Sequence, residues 1–282
     1  MEQVAAVAYY TVRELLRRKL LIFLVAGGAA LVLAVGILAA VIKANAPAGT
    51  LQTNDFAGLV LIQMANLVGL FAWISAIAIS VTLINHDLDI GSAVSIFSKP
   101  ISRLQYALGK MLAASLTLLL IVLILGIGTQ LVVLVNGGGH EAALFKTFLL
   151  IAANVLTQAM IILVLSVLMN NIVAAGLGVG IVLVGKVVGG IHIVLHALIE
   201  QSVGAAGNLP AFSTAVDIVY WLVPRNLDSD LTREVFATAA TPTTNGALST
   251  INVSGPIDVA YWAFYCLLLF ALLVIVLQRK EV

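Results

Sequence analysis

The stretch Asn85–Lys110, NHDLDIGSAVSIFSKPISRLQYALGK, decides how the rest of the chain is read. It is a long polar interruption with basic anchors between two apolar runs of membrane length. Asp87 predicts a helix start, because a carboxylate there accepts from free backbone N–H groups and favours the positive end of the helix dipole. Pro100 ends that helix. Between them Ile90, Ala93, Val94 and Phe97 recur at i, i+3, i+4 and i+7, which gathers them on one face of about three helical turns. Lys99, Arg103 and Lys110 follow and fix the segment on a cytoplasmic surface. A helix this short does not hold in water alone. Its apolar stripe needs the bilayer interface or a groove on a partner protein.

Working outward, composition sets the class. With 62% hydrophobic and 10% charged residues and a mean hydropathy of +1.14, the chain carries more apolar surface than a soluble protein of 282 residues can bury. It reads as an all-α polytopic membrane protein. A net charge of +1 with dispersed basic residues gives no nucleic-acid footprint. The single cysteine, Cys266, sits in an apolar run, so there is no disulfide framework. The first apolar run, Leu20–Ile42, has the length of a full span rather than of a signal peptide's apolar core, and is expected to stay as an anchor.

Six spans are expected, at about Leu20–Ile42, Phe56–Ile84, Leu104–Val135, Ala143–Met169, Ile172–His196 and Val259–Leu277. With both termini cytoplasmic, Arg13, Arg17, Arg18, Lys19, Lys99, Arg103, Lys110, Arg279 and Lys280 lie inside, against Lys43, Lys146, Arg225 and Arg233 outside. Nine basic residues against four is the inside-positive bias of a multi-pass chain. The reading is therefore one membrane domain over 1–282, with an interfacial helix in 1–19, a cytoplasmic segment at 85–103 and an outer loop at 200–258. In the first of these, Val4, Val7, Ala8, Leu15 and Leu16 alternate with Arg13, Glu14, Arg17 and Arg18 at helical spacing, which suits a helix lying against lipid headgroups. In the outer loop, short helices are expected around Phe212–Tyr220 and Asp230–Ala237, on the outer face.

Within the spans, Gly176 and Gly180, then Gly185 and Gly189, recur every four residues, with Ala174 and Gly178 on a neighbouring row, and such rows let helices approach closely in lipid. Gln63 and Asn66 share a face of the second span at i, i+3. Together with Lys186 these residues are the candidates for a path or a seam between copies. Lys186 is expected to snorkel outward, and its glycine neighbours allow a helix break that would leave Val187–Ile199 as a shallow segment. Gln130, Asn154 and Gln158 are polar residues expected to bond neighbouring helices. Gly180–Val187, GIVLVGKV, fits GxxxxGK but has Val187 where a phosphate loop needs Ser or Thr, and it lies in an apolar span, so it is rejected as a nucleotide site. His192, His196 and Glu200 stand at i, i+4, i+8, but Glu200 lies about 12 Å along the axis from His192, too far to close one metal site. His86, Asp87 and Asp89 lack a second acidic cluster. No catalytic or metal residues are assigned.

The segment DLDIGSAVSIFSKPISRLQYALGK, with TVRELLRRKLL before it and YWLVPRNLD, GPIDVAYW and LQRKEV after it, resembles the permease subunits of type-2 ABC exporters, in particular the branch that includes permeases of multicopper-enzyme maturation systems. Such permeases carry paired acids, a Gly-Thr or similar, Ser-Lys-Pro, Ser-Arg and Gly-Lys. These are matched here by Asp87 and Asp89, Gly91 and Ser92, Ser98, Lys99 and Pro100, Ser102 and Arg103, and Gly109 and Lys110. The acids are Asp where Glu is usual, and Ser92 stands for Thr.

The resemblance implies a six-span subunit of a bacterial or archaeal inner membrane that pairs with a second copy or a close homologue. It would bind cytoplasmic ABC ATPase subunits through a coupling helix, with Asp87, Asp89, Ile90, Gly91, Val94, Phe97, Lys99 and Arg103 in that contact. ATP and Mg would belong to the ATPase, and this chain would carry no cofactor. The alternatives from other classes are a membrane-embedded enzyme and an ATPase-independent channel or scaffold.

Overall fold

Helix starts in this chain are written in short polar signals that the structure reads literally. Ser102 and Gln105 form a reciprocal capping box: the Gln105 amide N–H donates to Ser102 Oγ at 3.2 Å, and the Ser102 N–H donates to Gln105 Oε1 at 3.0 Å. Asn170 Oδ1 accepts from the Val173 N–H at 2.9 Å and caps the next inward turn. Pro256 occupies a first helical position, and Asp258 reaches back to accept from the Gly255 N–H at 2.9 Å.

The computed structural model describes residues 2–17, 19–45, 53–84, 102–136, 141–201, 209–224, 226–227, 231 and 254–279. Among them the helices run α1 (Glu2–Leu16), α2 (Lys19–Asn45), α3 (Thr53–Leu83), α4 (Arg103–Asn136), α5 (Glu141–Leu168), α6 (Asn171–Gln201), α7 (Leu209–Leu222) and α8 (Pro256–Arg279). No strand occurs among the described residues. Six of these helices contain segments long and apolar enough to cross a membrane: Leu21–Asn45, Val60–Leu83, Arg103–Val135, Ala143–Leu168, Asn171–His192 and Pro256–Arg279. The six expected spans are all present. The amphipathic pattern at 90–97 lies outside the described residues.

The spans alternate in direction, so the bundle has two ends. The base is the end where α1, the start of α4 and the end of α8 meet. α5 is the central helix, packed on α3, α4, α6 and α8, and its stretch from Thr157 to Val164 is buried throughout. α2 lies against α3 and α4, where Gly28 faces Phe71 and Leu125, and Gly36 faces Val132. At the base, α1 packs on α4 and sends Leu15 into one core cluster with Leu83, Ile84, Ala107 and Leu277. Gly109 permits that approach, since a Cβ there would stand 2.7 Å from the Val7 side chain and 3.1 Å from the Val4 carbonyl. Lys110 is 4% exposed, with Nζ 5.7 Å from the centre of the Tyr106 ring.

One feature departs from the sequence reading. α6 runs unbroken through Gly185, Gly189 and Gly190 to Gln201. Each helical glycine costs about 1 kcal/mol, but opening the backbone in lipid costs more, because freed N–H and C=O groups find no water. The helix expected around Phe212–Tyr220 is present as α7, and it packs on α6. His192 pairs with Asp217 and Tyr220, and Gly185 faces the Pro224 carbonyl, so rising α6 numbers meet falling α7 numbers. α7 therefore descends antiparallel to α6. Gly185 and Asn154 each stand 14 residues from the base ends of their helices, Asn171 and Leu168, or about 21 Å up at a rise of about 1.5 Å per residue. Pro224, against Gly185, and Leu227, against Asn154, lie at that level, within the lengths of the candidate spans Asn171–His192 and Ala143–Leu168.

Candidate functional site

The backbone after α7 is held by residues from three spans, two through side chains and one through the lack of one. From α5, Asn154 Oδ1 accepts from the Leu227 N–H at 2.7 Å, while its Nδ2 donates to the Leu227 carbonyl at 2.9 Å. One amide thus satisfies both backbone groups of a residue that is 5% exposed. From α8, the Tyr261 hydroxyl donates to the Trp221 carbonyl at 2.8 Å, with the Val223 carbonyl a second acceptor at 3.3 Å. From α6, Gly185 admits the Pro224 carbonyl where any Cβ would collide with it. Irregular backbone survives at membrane depth only when protein groups replace water in this way. Leu231 is also buried, against Leu61, Ala65, Val133, Ala143 and Leu144, so the chain beyond the turn returns to the same bundle.

Above the turn, His192 Nε2 lies 3.1 Å from Asp217 Oδ1, and the imidazole stacks on Tyr220 with ring centres 4.0 Å apart. That commits His192 to the α6–α7 contact. The side chains of His196 and Glu200 lie outside the described residues. T-shaped contacts of Tyr220 with Trp221 and of Trp221 with Tyr261, then a tilted contact of Tyr261 with Tyr265, continue the aromatic series between α7 and α8.

The candidate path residues divide. Gln63 and Asn66 are exposed on α3, continuous with exposed Leu70 and Ile74 on one stripe. On α6, Gly176 and Gly180 have nothing within 4 Å of an added Cβ. Gly178 meets Ile162 and Gly185 meets Pro224, so the second row is used inside the chain and Gly185 belongs to the hairpin contact. Lys186 is exposed beside it. Most hydroxyls in the spans bond their own helix: Ser75, Thr82, Ser115, Thr117, Thr129 and Thr147 each donate to the carbonyl four residues back. Gln158 is 1% exposed, and neither polar atom of its amide has a hydrogen-bond partner.

Of the coupling candidates, Asp87, Asp89, Ile90, Gly91, Val94, Phe97 and Lys99 lie outside the described residues. Arg103 is described, and it reaches across the base. Its Nη1 donates to the carbonyls of Leu277 at 2.7 Å and Gln278 at 2.9 Å, a cation on the free C-terminal carbonyls of α8. The Ser-Arg pair in the quoted segment thus has two physical duties, the Ser102 cap and the Arg103 bridge. Tyr261 and Gly109 were quoted in the sequence segments without a role. Their signals, an aromatic hydroxyl in GPIDVAYW and a glycine within a basic helix start, become informative only once the neighbouring helix is placed.

Six membrane-length helices that meet at a basic base define a multi-pass membrane protein. The family model for ABC-2 family transporter protein matches residues 6–282, and the chain belongs to that family. It is therefore a permease component of an ABC transporter, a class that works with ABC ATPase partners. No curated protein matches the chain.

Proposed function

We propose that this chain is the permease of an ATP-driven exporter, working as a pair with a second copy or a close homologue in a bacterial or archaeal inner membrane, its base in the cytoplasm. Separate ATPase subunits bind ATP and Mg and dock on residues 85–103. Closing of the ATPase pair draws the two docking segments together and opens a path outward between the paired bundles. The chain does no covalent chemistry.

The observation that supports this reading most is the extent of the family match, which includes the whole bundle and the polar segment between the second and third spans. Two surfaces fit the pairing. Exposed Gln63 and Asn66 set amides on an otherwise apolar stripe, and the open Gly176/Gly180 row offers a place for close helix approach. The sequence of Ile90, Val94 and Phe97 supplies the stripe for the ATPase groove. Phe97→Asp places an unpaired charge in that groove, at a cost of several kcal/mol. We expect the variant to lose its co-purified ATPase and its transport. Normal ATPase recovery and normal export by Phe97→Asp would remove the docking assignment, and recovery of the unaltered chain with no stoichiometric ATPase would favour a channel or scaffold.

A further inference from the structure

Beyond the exporter reading, and resting on it, we infer that α8 carries the displacement of the docking segment to the C-terminal end of α7, with Arg103 and Tyr261 as its two positioning residues.

The geometry at the two ends of α8 is the reason. At the base, Arg103, the last residue of the docking segment, donates to the Leu277 and Gln278 carbonyls of α8 at 2.7 and 2.9 Å. At the other end, Tyr261 grips the carbonyls of Trp221 and Val223, the last turn of α7, at 2.8 and 3.3 Å. Tyr261 and Leu277 are 16 residues apart on one uninterrupted helix, a span of about 24 Å. Side chains from two distant segments are thus joined through a single stiff element, each by a charged or hydroxyl donor on backbone carbonyls.

The packing of α8 suits this duty. Its buried residues are Leu269, Leu273, Val274 and Leu277, one stripe in the half nearer the base. The other half adds hydrogen bonds, Tyr261 to the Trp221 carbonyl and Trp262 Nε1 to Thr157 Oγ1 of α5 at 2.7 Å, to the packing of Tyr265 and Cys266 against Met160, Ile161 and Val182. Seated along its length on its neighbours, α8 answers a pull on its carbonyl end as one body and delivers it at the end of α7. The hairpin turn meets α5 and α6 through Asn154 and Gly185, so it moves against those two spans. Coupling of this kind is a free energy shared by both ends, and it is recognised by non-additivity when both ends are altered.

The test uses the permease with its ATPase in lipid nanodiscs, with Cys266→Ala as background and Ala215→Cys, on the exposed face of α7, as reporter for an impermeant thiol reagent. The measured quantity is the ratio of labelling rates with and without ATP and vanadate. We expect a nucleotide-dependent ratio in the parent, and a ratio reduced about fivefold or more in Tyr261→Phe and in Arg103→Gln. The double variant falls no further than either single one, Arg103→Lys restores part of the ratio, and Trp262→Phe, which cuts only the α5 bond, leaves it intact. Tyr261→Phe removes one hydroxyl and keeps the test valid if Arg103→Gln does not assemble. A full ratio in Tyr261→Phe, or losses that multiply in the double variant, overturns the inference while leaving the exporter reading in place. A parent that binds no ATPase overturns the exporter reading, and the inference with it.

Discussion

Asn154 and Gln158 stand one turn apart on α5, and the contrast between them is the sharpest residue-scale lesson in the bundle. Asn154 uses both halves of its amide on Leu227, whereas the buried Gln158 amide has no partner. Asn154→Leu leaves an N–H and a carbonyl unpaired at membrane depth, a loss of about 2–5 kcal/mol. Gln158→Leu removes two unpaired groups and is expected to be neutral or to stabilise by about 1 kcal/mol. Thermal unfolding of the purified permease in nanodiscs checks both, and a fall of equal size in the two variants would contradict the pairing. A gain in stability with a loss of transport in Gln158→Leu would mark the unpaired amide as strain that the transport cycle uses. The sequence shows both residues as polar positions in a span. It does not show that one of them has a partner 73 residues away, because that contact depends on where the α7 hairpin descends.

At the scale of elements, glycines divide by what a side chain would meet. Gly109→Leu drives its side chain into Val7 and the Val4 carbonyl, which backbone cannot give way to cheaply, so α1 should lift from α4 at a cost of about 1–3 kcal/mol. Faster hydrogen exchange along residues 4–15 is the expected sign, and unchanged exchange there would mean that α1 packs elsewhere. Hydropathy made the six spans legible, since length and apolar content are local properties. The small-residue rows were legible as rows. Which row faces inward was not, because Gly178 and Gly180 differ only in the neighbours that folding supplies, Ile162 for one and open space for the other. The helix expected at Phe212–Tyr220 exists as α7, but its depth follows from Asn154, Gly185 and Tyr261, three residues on three other helices. An isolated reading of apolar Ile218, Val219, Trp221 and Leu222 gives a helix without its address.

For the whole molecule, the orientation and the pairing are the properties that no single helix determines. Basic residues at the base predict a cytoplasmic base, so a cysteine at Thr243 in the outer loop should react with an impermeant reagent in intact cells. Reaction only after the cells are opened would invert the topology. Pairing makes a more demanding prediction, because the two rows of α6 face opposite ways. Val173, Gly176, Gly180 and Val187 lie on the open side, while Ala174, Gly178, Val182 and Gly185 are buried within the chain. In a Cys266→Ala background, single cysteines on the first row should cross-link two copies, and single cysteines on the second should not. Gly180→Leu should then weaken the pair without unfolding the subunit, since no neighbour within the chain meets a Cβ there, whereas Gly178→Leu should unfold it by about 1–3 kcal/mol through collision with Ile162. A small-residue row in lipid works by letting backbones come close, so a bulky side chain on the open row acts on association alone. Cross-links confined to α3 cysteines near Gln63 and Asn66, with none on α6, would move the seam to the amide stripe. Absence of cross-links from both, in a preparation that retains its ATPase, would place the seam on a helix other than these two.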